Sequence, residues 1–157
     1  MEIKAGDLLF IDTNIFLTAT DQSRQCHHSA LNFFKTALNT GFHLSISGQI
    51  IREYLVVATR PTEINGLGLN VEEAIANIEE FKRRVIVLEE TEEVCERLIG
   101  LVRDYDIRGN RIHDANVIAT MKSHNVEILV TENVADFVVF PEIKAVNLEA
   151  IVPQSKK

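Results

Sequence analysis

Four acidic side chains stand where this chain could handle phosphate chemistry. Asp12 lies in Phe10-Ile11-Asp12-Thr13-Asn14, Glu53 in Gly48-Gln49-Ile50-Ile51-Arg52-Glu53-Tyr54, Asp114 in Arg111-Ile112-His113-Asp114-Ala115-Asn116 and Asp136 in Asn133-Val134-Ala135-Asp136-Phe137. Each has a plainer reading. Asp12 suits a helix N-cap, and Glu53 suits a solvated charge bordering the apolar face of Ile50, Tyr54 and Val57. Asp114 suits the positive end of a helix, and Asp136 suits a turn. Their conjunction points further, because carboxylates brought to one place repel and cannot all stay ionised without compensation. An oxygen-only donor set with no His or Cys pair favours Mg²⁺ or Mn²⁺ over zinc. Ions of that kind support attack of water on a phosphodiester.

The elements that must position these groups are legible in the hydropathy pattern. Short apolar runs at Leu8–Ile11, Leu44–Ser47, Val85–Leu88 and Ile128–Val130 read as buried strands, and 144–148 reads as a weaker fifth. Helical periodicity over 24–40, 48–59, 71–83, 91–104 and 113–124 lies between them. Within it, Leu38, Val71 and Ile75 fall on the expected buried stripes. Arg60-Pro61 ends the second helix, and Asn65-Gly66-Leu67-Gly68 is the clearest loop. Strands alternating with helices predict a parallel sheet of about five strands, covered on both faces: an open α/β/α three-layer fold. Ligands of such sheets bind beyond the carboxyl ends of the strands, where strand order reverses. Asp12 follows the first strand, Glu53 rides the helix after the second, and Asp136 follows the fourth by a short loop.

Composition narrows the class. The chain has 157 residues, 46% of them hydrophobic and 25% charged, which suits one soluble domain over 1–157. No apolar run reaches the roughly 18–20 residues of a membrane span, and no signal peptide is evident. A net charge of −7 argues against duplex binding through a broadly basic face. It leaves open a nucleic-acid substrate whose charge is offset by metal ions. Cys26 and Cys95 lack metal-ligand spacing and read as buried thiols in a reducing cytoplasm.

Taken in order, the motifs resemble a known family. The chain is similar to the PIN-domain ribonucleases, most closely to VapC-type toxins of toxin–antitoxin pairs, from Leu8 to about Leu148. The resemblance rests on Asp12-Thr13-Asn14 after an apolar run, Ser47 followed by Glu53, His113-Asp114-Ala115 running into Ile118-Ala119-Thr120, and Val130-Thr131-x-Asn133-x-x-Asp136-Phe137. It implies a PIN-like α/β/α endoribonuclease using Mg²⁺ or Mn²⁺. Carried over, Asp12, Glu53 and Asp114 are the core carboxylates and metal ligands. Many relatives have Asp where this chain has Asn133, and Asp136 is the nearest acid to fill that fourth role. Thr13, Asn14, Thr131 and Asn133 would support the site. Arg111, Arg52, Arg108 and Lys122 are candidate phosphate contacts, with surface charge as the alternative for each. His113 adjoins Asp114 and so points about 100° away along the helix, which suggests a structural role.

The implied partners are RNA, a small antitoxin that places an arginine among the carboxylates, and a second copy of the chain. A cytoplasmic location is expected. Two other readings compete. The segment around Asp12 also resembles the opening of haloacid-dehalogenase phosphatases, but Asn14 stands where those enzymes need an acid. A PIN-like module that binds RNA or protein through a degenerate site is favoured by Asn133 and disfavoured by the three other carboxylates.

Overall fold

The structure, a computed structural model, describes residues 2–151. Strands β1 (Leu8–Ile11), β2 (His43–Ser47), β3 (Val85–Leu88), β4 (Ile128–Val130) and β5 (Lys144–Val146) form one parallel sheet in the order β3-β2-β1-β4-β5. Helices α1 (Thr13–Thr20) and α2 (His27–Thr40) connect β1 to β2, and α3 (Gly48–Thr59) and α4 (Val71–Lys82) connect β2 to β3. Helices α5 (Glu92–Tyr105) and α6 (Arg111–Ser123) carry the chain back across the sheet to β4. Right-handed crossovers therefore put α1–α4 on one face and α5–α6 on the other. The inter-helix contacts follow that division, running α2–α1–α3–α4 and separately α5–α6.

The central strand fixes the geometry. Leu9, Phe10 and Ile11 are fully buried, and Ile11 lies beside Val130 of β4. Strand order reverses at this boundary, so a crevice opens beyond Ile11 and Val130. On the α1–α4 face the filling is aromatic: Phe16 stacks on Phe34 at 4.9 Å and meets the edge of Phe81 at 4.8 Å. Tyr54, fully buried, packs edge-on to Phe81, and its hydroxyl bonds Thr20 Oγ1 at 2.9 Å and Asn77 Nδ2 at 3.1 Å. Glu53 is thereby held next to one of the best-anchored residues of the fold.

Several expectations need correction. The run 85–88 forms a strand, but at the sheet edge: Ile86 is 53% and Val87 41% exposed, so neither face of β3 is covered at its middle. Cys26 and Cys95 are both exposed, one just before α2 and the other on the outer face of α5. Leu38, Val71 and Ile75 also lie at the surface, although their spacing places them on helical stripes. The helix starting at His27 is shorter than 24–40 because Asp21 organises the preceding turn, accepting bonds from Ser23 N and Oγ at 3.0 and 2.6 Å. Helix α1 has no counterpart in the periodicity, because Thr13–Thr20 is only 8 residues long and rich in Thr.

The turn after α3 depends on a close backbone approach. Arg60 is extended before Pro61, and the segment 66–69 folds back so that Leu67 N and Leu69 N bond the α3 carbonyls of Val57 and Ala58 at 3.0 and 2.9 Å. A Cβ on Gly66 would fall 1.9 Å from the Arg60 carbonyl oxygen. Gly66→Ala is expected to lower unfolding stability by about 3 kcal/mol. Gly100→Ala, in the interior of α5 with nothing within 4 Å of the new methyl, should raise it by about 0.5–1 kcal/mol. Urea titration of both variants reads the opposite signs; equal behaviour would refute the packing argument.

Candidate active site

Asp12 leaves β1 at the crevice and does two things at once. Its Oδ1 accepts the Thr13 amide at 2.8 Å, as an N-cap of α1 would, and its Oδ2 accepts the Thr131 hydroxyl at 2.7 Å from the end of β4. Asn14 completes this cluster, donating to Asp12 Oδ2 at 3.4 Å and to Thr131 Oγ1 at 3.2 Å while its Oδ1 accepts Glu132 N at 3.2 Å. Thr131, fully buried, also accepts Asn133 N at 3.1 Å. The strand register explains the meeting: Ile11 and Val130 are paired, so the residues that follow them are neighbours.

Glu53 reaches the same place from α3. Its Oε2 accepts the Thr13 hydroxyl at 2.6 Å and its Oε1 accepts Gln49 Nε2 at 2.8 Å. Gln49 lies one turn earlier, on the same helix face. Asp114 arrives from the first turn of α6, where Arg111 Nε lies 3.7 Å from its Oδ2. Asp12, Glu53, Asp114, Asn14 and Asn133 all line one cleft of about 690 Å³.

The electrostatics record the convergence. Burial pushes the Asp12 carboxyl up to about 6; the bonds from Thr131 and Thr13 oppose this, and the charges of Glu53 and Asp114 add to it. Asp114 is likewise raised, first by burial and then by Asp136 and Glu53, against the opposing pull of Arg111 and His113. This is a cluster short of positive charge. Its donors are oxygens, which suits a hard divalent ion. Asp12 and Glu53 each have both carboxylate oxygens oriented by hydrogen bonds, as supported ligands do. Among the described residues, no group of three His, Cys, Asp or Glu side chains already stands close enough to enclose an ion.

The other expected residues divide. Thr13, Asn14 and Thr131 bond directly to the carboxylates. Asn133 lines the cleft, whereas Asp136 is exposed in the short turn 134–137 and reaches Asp114 only through its charge. Arg111 donates to the Asp136 carbonyl as well as facing Asp114, which ties that turn to α6. Arg52 sits on the cleft wall, largely exposed, 3.7 Å from Glu90. Arg108 pairs with Asp106, and Lys122 pairs with Glu142 at 3.6 Å. Lys122 lies eight residues after Asp114, about 12 Å along the helix. His113 is exposed and lines the cleft rather than pointing away from it, because Asn110, His113 and Asp114 at the start of α6 all border the same cleft. Ser47 caps nothing through its side chain; its buried hydroxyl lacks a partner.

Sequence reasoning missed Gln49, Asn116 and Glu90. Asn116 Nδ2 bonds Gln49 Oε1 at 2.7 Å and Glu90 Oε1 at 2.6 Å, and Glu90 Oε2 accepts Gln49 N at 3.2 Å. One signal was present: Glu89-Glu90 follow the third strand at the same sheet edge as Asp12.

Comparison with known proteins bears on the fold. The family model for the PIN domain matches residues 9–139. A search of curated proteins gives no match. Among solved structures, VapBC2 from Rickettsia felis, bound to a DNA fragment from its promoter, is similar over 89% of this chain and 98% of that chain, at 18% identity and a TM-score of 0.66. VapBC-1 from nontypeable Haemophilus influenzae matches over 90% of this chain and 98% of that chain, at 19% identity and a TM-score of 0.65. Mycobacterium tuberculosis VapC20, described as a sarcin-ricin-loop-cleaving toxin, matches over 77% and 86% respectively, at 16% identity and a TM-score of 0.58. At these identities the likeness is one of fold.

The raised carboxyl of Asp12 has a measurable consequence. A carboxyl that holds its proton more tightly folded than unfolded stabilises the fold below its ordinary value near 3.8, and that stability is lost as pH rises through about 6. The full difference is about 3 kcal/mol. Without divalent ions, Asp12→Asn should therefore be more stable than wild type at pH 7.5, by about 1–3 kcal/mol. The advantage should vanish towards pH 4. Urea unfolding in EDTA at the two pH values checks this, and a variant less stable than wild type at pH 7.5 would contradict it.

Proposed function

The chain belongs to the PIN-domain family, and from that premise we propose that it is a metal-dependent endoribonuclease acting as the toxin of a toxin–antitoxin pair. The observation that carries this reading is the meeting of Asp12, Glu53 and Asp114, from three separate segments, in one cleft at the switch point of the sheet. The VapBC complexes of similar fold, and the sarcin-ricin-loop-cleaving toxin activity named for VapC20, support the toxin assignment.

In this reading Asp12, Glu53 and Asp114 hold Mg²⁺ or Mn²⁺. Such an ion, when bound, acidifies water and offsets the negative charge that builds on a phosphodiester under attack. Thr13, Thr131 and Asn14 keep the carboxylates aimed into the cleft. One of the carboxylates orients the attacking water and takes its proton. In-line attack then breaks the bond to the 3′ oxygen, which takes a proton from solvent, leaving a 5′-phosphate and a 3′-hydroxyl. Asp136 is the proposed fourth acid, with Asn133 beside the cleft as its alternative. Arg52 is the best-placed contact for an RNA phosphate, because it is exposed on the cleft wall with one loose partner. Arg111 has prior engagements with Asp136 and Asp114, and Lys122 with Glu142.

The convergence of Asp12, Glu53 and Asp114 also suits an inhibitor that inserts an arginine among them, so the proposed partner is a small antitoxin; a homodimer is the proposed assembly. No described helix is long and apolar enough to cross a membrane, and the proposed location is the cytoplasm. A second reading, a binding module without turnover, is favoured by Asn133 lining the cleft where many relatives carry an acid.

Purified protein should cleave RNA in Mg²⁺ or Mn²⁺, fail in EDTA, and lose roughly 100-fold or more activity on Asp12→Asn or Asp114→Asn. End-labelling of the products should find 5′-phosphates. Equal cleavage in all arms would overturn the nuclease reading, and RNA binding without cleavage would select the second one.

A further inference from the structure

Gln49 is 3% exposed, and its side-chain amide makes three hydrogen bonds around the site. Nε2 donates to Glu53 Oε1 at 2.8 Å and to the His113 carbonyl at 2.9 Å, the peptide immediately before Asp114. One amide nitrogen thus straps the α3 carboxylate to the backbone that carries the α6 carboxylate. Its Oε1 accepts Asn116 Nδ2 at 2.7 Å, which fixes the direction of the amide. A flipped Gln49 would set its NH₂ against the Asn116 NH₂ and its carbonyl oxygen against Glu53.

Asn116 has its own orientation set from outside. Its second N–H donates to Glu90 Oε1 at 2.6 Å, while Glu90 Oε2 accepts the backbone N–H of Gln49 at 3.2 Å in the first turn of α3. Glu90 follows β3, two strands from β1. It performs the helix-capping task that Ser47 leaves undone. The chain Glu90–Asn116–Gln49 therefore runs from the sheet edge to Glu53, with every amide hydrogen used.

We propose that Gln49, locked by Asn116 and Glu90, is a positioning residue that sets the spacing and orientation of Glu53 relative to Asp114 for divalent-ion binding. This rests on the metal-dependent reading above. Thr13 orients the other oxygen of Glu53, so loss of Gln49 frees the carboxylate to rotate about a single remaining bond. Partners of this kind change metal affinity by about 10–100-fold. Asn116 bonds Glu90 as well as Gln49, but it reaches the Glu53 carboxylate by way of the Gln49 amide, so its effect on Glu53 should be contained within that of Gln49.

Mn²⁺ titration by calorimetry, without RNA, tests this on the full chain. Gln49→Met keeps the buried volume and removes every side-chain hydrogen bond. It should bind Mn²⁺ at least about 10-fold more weakly than wild type. Asn116→Ala should weaken binding by less, and the double variant should bind no worse than Gln49→Met alone. If Gln49→Met fails to fold, weakened Mn²⁺ binding by folded Asn116→Ala supports the proposal, and unchanged binding overturns it. Variants that melt earlier but bind Mn²⁺ as wild type does would also overturn it, leaving the network a packing device. If wild type itself takes up no Mn²⁺, the nuclease reading falls first and this role falls with it.

Discussion

The constraint on which the rest depends is electrostatic: Asp12 is buried beside β4 with the charges of Glu53 and Asp114 in its field. Like charges in a partly dry cleft are held together only where the scaffold is stiffer than their repulsion. The scaffold here is the paired register of β1 and β4, the fully buried anchor Tyr54 and the apolar body of α6. Surface ion pairs such as Arg84–Glu80 and Arg97–Glu93 add little, because exposed pairs are worth at most about 1 kcal/mol each. The core therefore carries a site that its own charges would push apart.

Hydrogen bonding decides how that repulsion is managed. Among the described residues no cation pairs with Asp12; it receives a backbone amide, a hydroxyl and the Asn14 side-chain amide, all dipoles. Glu53 receives a hydroxyl and an amide in the same way. Arg111, which faces Asp114, divides itself between that carboxylate and the Asp136 carbonyl. Dipoles fix direction without removing net charge, so the cleft keeps its affinity for something positive.

How much of this was legible in the sequence follows from the range of each interaction. Strands β1, β3 and β4 declare themselves as apolar runs, and the family motifs mark Asp12, Glu53 and Asp114 because each sits at a fixed place relative to a strand or helix start. The sequence resemblance to PIN domains is accordingly matched by the family model. What escaped was relational. Gln49 and Asn116 are 67 residues apart and meet only through folding. The exposure of Ile86 and Val87 follows from β3 lying at an edge, which strand order decides and hydropathy does not. The cysteines were expected inside on residue type alone, yet Cys95 takes the outer face of a helix whose inner face was already supplied by Val94 and Leu101.

The proposed antitoxin, divalent ion and RNA would compete and cooperate through one quantity, the unneutralised charge of the cleft. An inserted guanidinium and a divalent ion would answer the same deficit, so occupancy by one lowers the affinity for the other. RNA would bring further negative charge, and its approach would be favoured only after a cation had reversed the local field. The net charge of −7 strengthens that order of events, because a chain that is negative on balance repels the polyanion at long range. The deficit that makes Asp12 expensive to bury would then act as the switch: filled by arginine the site is closed, and filled by metal it can accept a phosphodiester.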